Sequence, residues 1–495
     1  MHYSERDSNS DSGDSEVSPL IPGPPVAISP PTPSKKQILK VILLCASATL
    51  ILDIGLTVVL APKIRLLESI LCQEYYHTHG LQGLMHDIPE SQCKTKEIQS
   101  AVARLIGWQA VFDSLPAIFL AIPYGALSDT KGRRPVLLLC FLGLTLSTAW
   151  TLLICWLRLP LELTWISSLF QCLGGGPAVA TAIVEATIAD VVPDDKRSTI
   201  YFQLQAAVLI SDILANPLSA VLMAHNVWIP CFLGLSIQAL GTILLMALPE
   251  TLSFARALSP LAESTSDCVE EEERLTLRGR LVKNFRSIVS DRNVAGLVFG
   301  LLVLTISAES VDFLLQYVSK RYGWSIAKSA MLLSLRAAVE FGLLLILGPL
   351  LLFLSWPSLR NPLQRDLWVA RVSLGFIVLG FLILALSPTV ASAILGLIIY
   401  TLGAGFQPAV MSLLGSVWKA SNPTNLGSLY STVAIILAAG GVIAGPLLSF
   451  MFQLGLRLGD AWVGLPYFVS ACLCAGIALV MLSVRLPSRP IASEM

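Results

Sequence analysis

Stretches of about twenty apolar residues recur along this 495-residue chain from end to end. Each is long enough to cross a hydrocarbon layer of ~30 Å as a helix. Twelve can be drawn, near 38–60, 102–124, 135–157, 162–188, 200–223, 229–248, 294–317, 327–354, 367–387, 390–417, 426–453 and 462–484. Backbone polar groups inside lipid must bond to one another, which leaves only helices or a closed barrel. The runs are continuously apolar and lack the period-two alternation of barrel strands, so the expected fold class is an all-α integral membrane protein.

Composition agrees. Apolar residues make up 54% and charged residues 13% of the chain, and the mean hydropathy is +0.72, far from the balance of a soluble domain. Basic and acidic residues number 33 each, so no positive excess exists to neutralise nucleic-acid phosphates. No phosphate-binding glycine loop, nucleophile elbow or zinc-protease helix motif is present, which argues against an enzyme and against ATP-driven transport. The histidines lie in the N-terminal segment (His2), the first long loop (His77, His79, His86) and a turn (His225), and no metal site is expected.

Short loops carry Lys131, Arg133, Arg134, Lys196, Arg197, Arg360 and Arg365 on one side, joined by Lys35, Lys36 and Lys40 before the first span, which predicts both termini in the cytoplasm. Lys63, Arg65, Lys94, Lys96, Lys320 and Arg321 fall on the other side, so the asymmetry is a bias. Residues 1–37 read as a disordered tail rich in Ser, Asp and Pro, and the first span is expected to direct insertion. Within the tail, Glu16, Leu20 and Ile21 fit the acidic dileucine spacing read by vesicle adaptors, a chance-prone pattern that would direct the chain to a vacuole rather than the plasma membrane. The spans divide into six-helix bundles at 38–249 and 293–485, joined by a charged linker at 250–292 and followed by a tail at 486–495.

The two halves carry an internal repeat. Gly174-Gly-Gly176-Pro177-Ala178-Val179 in span four mirrors Gly403-Ala-Gly405-Phe-Gln-Pro408-Ala409-Val410 in span ten, and Tyr201 with Pro217-Leu218 mirrors Tyr430 with Pro446-Leu447. Between spans two and three lie Gly125, Leu127, Asp129, Gly132, Arg133 and Arg134, in the order Gly, apolar, Asp, Gly-Arg-Arg. This motif, Leu248-Pro249-Glu250-Thr251 closing span six and the Gly441-xxx-Gly445-Pro446 run of span eleven resemble the major facilitator superfamily over residues 38–485. Pro62-Lys-Ile-Arg65, Cys72, Tyr75-Tyr76, Gly107-Trp108-Gln109 and Phe112-Asp113 are similar to a fungal branch, with fainter similarity to the proton-coupled folate and thymic stromal transporters.

The resemblance implies twelve helices in two pseudo-symmetric six-helix bundles, a monomer, and alternating access to a central cavity. It also implies that the loop motif acts as a conformational latch. Gly125 and Gly132 would permit a tight turn and close helix approach. Asp129 would face the start of span eleven, near Thr424–Ser428, when the cytoplasmic side is shut, and Arg133 or Arg134 would pair with Asp190. The alternative is that these charges only fix topology. Two departures weigh against the usual antiport relay: Gln171 stands where many drug/proton antiporters carry a span-four Arg, and the span-five motif is reduced to Asn216-Pro217-Leu-Ser219-Ala220.

Ionisable residues inside spans persist when paired, wetted or useful. Asp53 and Asp113 lie near the predicted midplane and are the favoured proton carriers, with no histidine in any span to compete. Asp212 is also deep. Glu309, Asp312 and Gln316, spaced i, i+3 and i+7, are expected on one face, and Glu309 or Asp312 is expected to pair with Arg336. Gln407 and Gln205 are further cavity candidates. Cys72 and Cys93, both placed in a 63–98 loop on the oxidising side, are a candidate disulfide. The expected function is secondary active transport of a small amphipathic organic molecule, proton-coupled and outward, with no cofactor beyond the gradient. Proton-coupled import of a nutrient or vitamin-like solute and a non-transporting sensor are the alternatives.

Overall fold

A computed structural model describes residues 35–79, 88–192, 194–251, 285–286, 288–353, 362–421 and 426–483. The adaptor-like residues Glu16, Leu20 and Ile21, most of the linker and the 486–495 tail lie outside them. Among the described residues all regular structure is helical, and 12 spans are long and apolar enough to cross a membrane. The protein is a multi-pass membrane protein.

In the first half, α1 is Lys35–Thr78, α2 Lys96–Lys131 and α3 Arg133–Leu157. Span four is broken into a 3-10 turn (Leu161–Ile166), α4 (Ser167–Gln171) and α5 (Gly176–Ala189), followed by α6 (Asp194–His225) and α7 (Trp228–Leu245). The second half opens with α8 (Arg292–Ala308), which passes through a 3-10 segment (Glu309–Phe313) into α9 (Leu314–Tyr322), and continues with α10 (Ile326–Phe353) and α11 (Pro362–Leu386). Span ten is α12 (Val390–Thr401), a 3-10 turn (Leu402–Gly405) and α13 (Phe406–Ser421), and α14 (Leu426–Leu458) and α15 (Leu465–Ser483) complete it. The repeat is thus physical. Spans four and ten both break at their glycine motifs, and Pro217 and Pro446 both sit inside long helices.

Two predicted boundaries are corrected. The first helix does not stop near residue 60 but runs to Thr78, so Lys63, Arg65 and Cys72 are helical rather than in a loop. Beyond the hydrocarbon a helix needs only one apolar face, and Ala61, Ile64, Leu66 and Leu67 supply it by being buried. Likewise α2 continues through Gly125 to Lys131, so Gly125 makes neither a turn nor a close approach: a Cβ there would meet nothing within 4 Å. The turn belongs to Gly132 alone, at φ +112°, where a side chain would strike Glu250.

Lipid tails offer helices no hydrophobic reason to associate, so close packing of small residues must supply the contact. The halves meet where α2 packs on α14 and α6 on α10. At the first junction a Cβ on Gly107 would overlap Ser449, and one on Gly441 would lie 2.8 Å from Ser114 Oγ. The absence of those side chains lets the backbones close until Ser449 Oγ donates to the Ala103 carbonyl at 2.8 Å.

Candidate functional site: a carboxylate-lined cavity between the halves

Between the halves lies a cavity of about 530 Å³, walled by α1, α2, α4, α6, the 3-10 segment of span seven and α10. Its polar lining includes Asp53, Thr57 and Lys63 from α1, Gln109 and Asp113 from α2, and Gln171 from α4. Asp212 and Asn216 come from α6, Glu309 and Asp312 from the 3-10 segment, and Arg336 and Glu340 from α10. Of the sequence-selected residues, Asp53, Asp113, Asp212, Glu309, Asp312 and Arg336 therefore converge on one space. Gln407 is exposed and is not among the lining residues, nor is Gln205.

The favoured pair of carboxylates separates on geometry. Asp113 Oδ1 accepts from Gln109 Nε2 (2.9 Å), Ser168 Oγ (2.6 Å) and Gln171 Nε2 (2.6 Å). Three donors fix that oxygen in place, and Gln171 supplies one of them. Asp53 is the opposite case: its Oδ2 is buried and no protein group donates to it. One turn along α1, Thr57 Oγ1 donates to Asp212 Oδ1 at 3.0 Å, which ties α1 to α6 beside Asp53.

Span seven departs from the predicted face. The 3-10 stretch advances about 120° per residue rather than 100°, so the aligned positions become i, i+3 and i+6. Glu309, Asp312 and Leu315 line the cavity, while Gln316 is buried elsewhere with its amide unpartnered. The predicted ion pair with Arg336 is also corrected. Among the described residues no salt bridge within 4 Å joins Arg336 to Glu309 or Asp312, although all three line the same cavity. Arg336 shares the cavity lining with Asp212, Asp312 and Glu340.

The loop motif forms a compact ionic knot inside the first half. Arg133 Nε lies 3.0 Å from Asp190 Oδ2, and its Nη1 reaches Ser128 Oγ at 2.6 Å and Asp129 Oδ1 at 2.5 Å. The backbone N–H groups of Arg133 and Arg134, at the positive start of α3, donate to the Glu250 carboxylate at 2.8 and 3.3 Å. Thr251 Oγ1 donates to Asp190 Oδ2 at 3.1 Å, and the Arg134 guanidinium donates to the Met246 carbonyl. The Pro-Glu-Thr sequence after span six is therefore part of the knot, a role sequence reading did not give it. Asp129 remains 64% exposed and bonds within its own half; Thr424 and Asn425 of its predicted partner region lie outside the described residues.

At the other end Cys72 and Cys93 are disulfide-bonded, with Cα atoms 5.4 Å apart. The bridge ties α1 to a short 3-10 turn, Glu90–Cys93, beside a buried charge cluster. Glu68, 1% exposed, accepts from Arg65 (2.8 Å), Lys94 (2.6 Å) and Gln99 (2.6 Å), and Lys94 also reaches Glu90 at 2.9 Å. Two bonds then cross to the second half: Ile326 N–H donates to Glu90 Oε1 at 2.8 Å, and Lys320 Nζ to the Lys94 carbonyl at 2.8 Å. In the sequence Lys94 and Arg65 stand out as exceptions to the loop-charge bias, and Arg65 also as part of the fungal-branch pattern. Their carboxylate partners are spread over residues 68–90 and come together only through the helix and the bridge.

A family model described as Major Facilitator Superfamily matches residues 43–446, spanning both halves. The chain belongs to this superfamily. It is a transporter of the major facilitator class. It is 76% identical, over 96% of its length and 94% of the relative's, to the "MFS efflux pump atnC" of Emericella nidulans. It is 28% identical over 88% of its length, and 90% of the relative's, to the "MFS-type transporter avaK" of Aspergillus versicolor. In fold it is similar to the xylose transporter XylE from E. coli, with a TM-score of 0.59 at 13% identity, covering 91% of this chain and all of that one.

Proposed function

We propose that this transporter exports a small amphipathic organic molecule in exchange for protons, by alternating access, with the Arg133 end and both termini in the cytoplasm. The observation that carries the reading is the unpartnered Asp53 carboxylate in a cavity at the junction of the two halves. A group there can exchange a proton with whichever side the cavity faces. Asp113, held by three donors, fits a fixed structural role. Outward direction rests on the relative at 76% identity that is named an efflux pump. The bonds between halves at the disulfide end and the exposed Asp129 at the other fit a state open toward the Arg133 end. Proton-coupled import is the second reading, favoured by Gln171 occupying the wall beside Asp113 where an antiporter would carry Arg.

Proteoliposomes with a panel of fluorescent amphipathic compounds and an imposed pH gradient test the reading. Accumulation is expected against the proton movement, and accumulation in the direction of proton flow would replace export with import. Transport indifferent to the gradient would remove proton coupling.

A further inference from the structure

At the disulfide end the two halves meet in two layers. The deeper layer is apolar: Ala61 and Ile64 of α1, Met223 of α6, Leu315 of α9, and Ile326 and Ala330 of α10 pack as one buried cluster. Ile64 and Leu315 also line the central cavity. Along α1 the cluster follows Asp53 and precedes Glu68, and along α10 it precedes Arg336, so it lies between the cavity and the charges at that end. Apolar contact is non-directional, so by itself it fixes no register between two bundles.

The outer layer supplies direction. A helix begins with backbone N–H groups that have no partner within it. At the start of α10, Ser325 Oγ accepts from the Lys328 N–H at 3.2 Å, while the Ile326 N–H is capped from the other half by Glu90 Oε1 at 2.8 Å. Ile326 therefore belongs to both layers, its side chain in the seal and its N–H in the clasp. Glu90 sits on a short arm, the 3-10 turn Glu90–Cys93, that is tied to the first half. Cys93 is bonded to Cys72 of α1, and its carbonyl accepts from Gln99 Nε2 of α2 at 3.1 Å. Burial separates Glu90 from its neighbour Glu68. The Glu90 side chain is 24% exposed against 1% for Glu68, whose three donors all belong to the first half. Water can replace Ile326 at Glu90, so this bond between the halves is one the molecule can break and remake.

We propose that Glu90 is the gate residue of this end: its cap on α10 holds the closed state, the Cys72–Cys93 bridge presents it, and its release opens the cavity toward the disulfide side. The helix it caps is a lever into the site. α10 runs unbroken from Ile326 to Phe353, and Arg336 of the cavity wall lies ten residues, about 15 Å, beyond the capped N–H. The bridge keeps the carboxylate with α1, which walls the same cavity from the first half. Separation of the halves therefore draws Glu90 off α10 and parts the apolar seal together. The inference rests on the proposed orientation only in making this the side of release.

Pulsed electron–electron resonance on the full-length protein in lipid nanodiscs tests the gate, with spin labels carried on ketone-bearing unnatural residues so that the native cysteines stay untouched. One label pair, at Lys96 and Ala391, spans the halves at the disulfide end, and a second, at Lys131 and Arg292, spans them at the Arg133 end; all four positions are exposed. Glu90→Ala should raise the ratio of long to short distances in the first pair about tenfold, the scale of one hydrogen bond to a charged group, and lower it in the second. Glu90→Gln, which keeps an oxygen for the Ile326 N–H but loses the charge, should move both pairs less. Replacing Cys72 and Cys93 together by Ser should move both in the direction of Glu90→Ala, while Glu162→Gln, exposed at the same end, should leave them as they are. Unchanged ratios in Glu90→Ala, or in Glu90→Gln where the alanine variant does not fold, would overturn the proposal. Widening at the first pair without the opposite movement at the second would also overturn it, because that marks a frayed arm and not a gate. The expected shifts in a protein whose transport ignores the pH gradient would remove proton exchange and leave the gate standing.

Discussion

The two ends of this transporter use charge in opposite ways. At the disulfide end, Glu68, Glu90, Arg65 and Lys94 are mostly buried, bond to one another, and reach across to Lys320 and Ile326 of the second half. At the Arg133 end, a comparable number of charges closes on itself within the first half and leaves Asp129 facing outward. One end is bolted across the division between bundles; the other is a preassembled surface with an exposed acid paired inside its own half. Rocking of two rigid halves requires this asymmetry, since one set of contacts must break as another forms.

Breaking the bolted end should have the largest consequence. Glu68→Ala would leave two cations near a buried site without their shared anion, a loss of ~3–5 kcal/mol for a buried partner. A large fall in thermal unfolding temperature in detergent is expected, and an unchanged one would mean that the cluster is wet and weak. Cys72→Ser comes next. It frees the turn that carries Glu90 and Lys94, and removing a bridge over a loop of this size costs about 3 kcal/mol in the chain-entropy account. The same unfolding measurement under reducing conditions on the unaltered protein should match the variant.

At the Arg133 end the effects should be smaller and should separate by burial. Asp190 is 8% exposed and takes both Arg133 and Thr251, so Asp190→Asn should cost about 1.5–3 kcal/mol, the range for a hydrogen bond to a charged group. Asp129, largely exposed, should cost below ~1 kcal/mol in stability when changed to Asn. Its substitution should show instead in turnover, measured as initial transport rate, because its exposed carboxylate can meet the other half only when that end closes. Equal stability losses at both positions would dissolve the distinction between an internal knot and a docking acid.

Much of this was legible before any coordinates. Span count, all-helical class and the repeat follow from run length and motif order, because the bilayer fixes helix length and leaves few alternatives. Asp53, Asp113 and Asp212 are legible as ionisable residues inside apolar spans, where lipid makes them conspicuous. What sequence could not show was which of them is satisfied. Asp113 owes its three bonds to Gln109 on its own helix and to Ser168 and Gln171 of α4, residues that meet only when α4 packs against α2. The 3-10 segment at Glu309–Phe313 was equally hidden: an i, i+3, i+7 pattern reads as a face only if the helix is regular. Lys63 and Arg65 looked like loop residues because hydropathy ends before the helix does.

The central claim is that Asp53, and not Asp113, carries the exchanged proton. The direct measurement compares Asp53→Asn and Asp113→Asn in proteoliposomes, recording gradient-driven accumulation beside gradient-free exchange of the same compound. The account predicts that Asp53→Asn abolishes accumulation and keeps exchange, while Asp113→Asn, whose Oδ1 can still accept its donors, slows both together without uncoupling them. Accumulation preserved in Asp53→Asn, or lost only in Asp113→Asn, would contradict it.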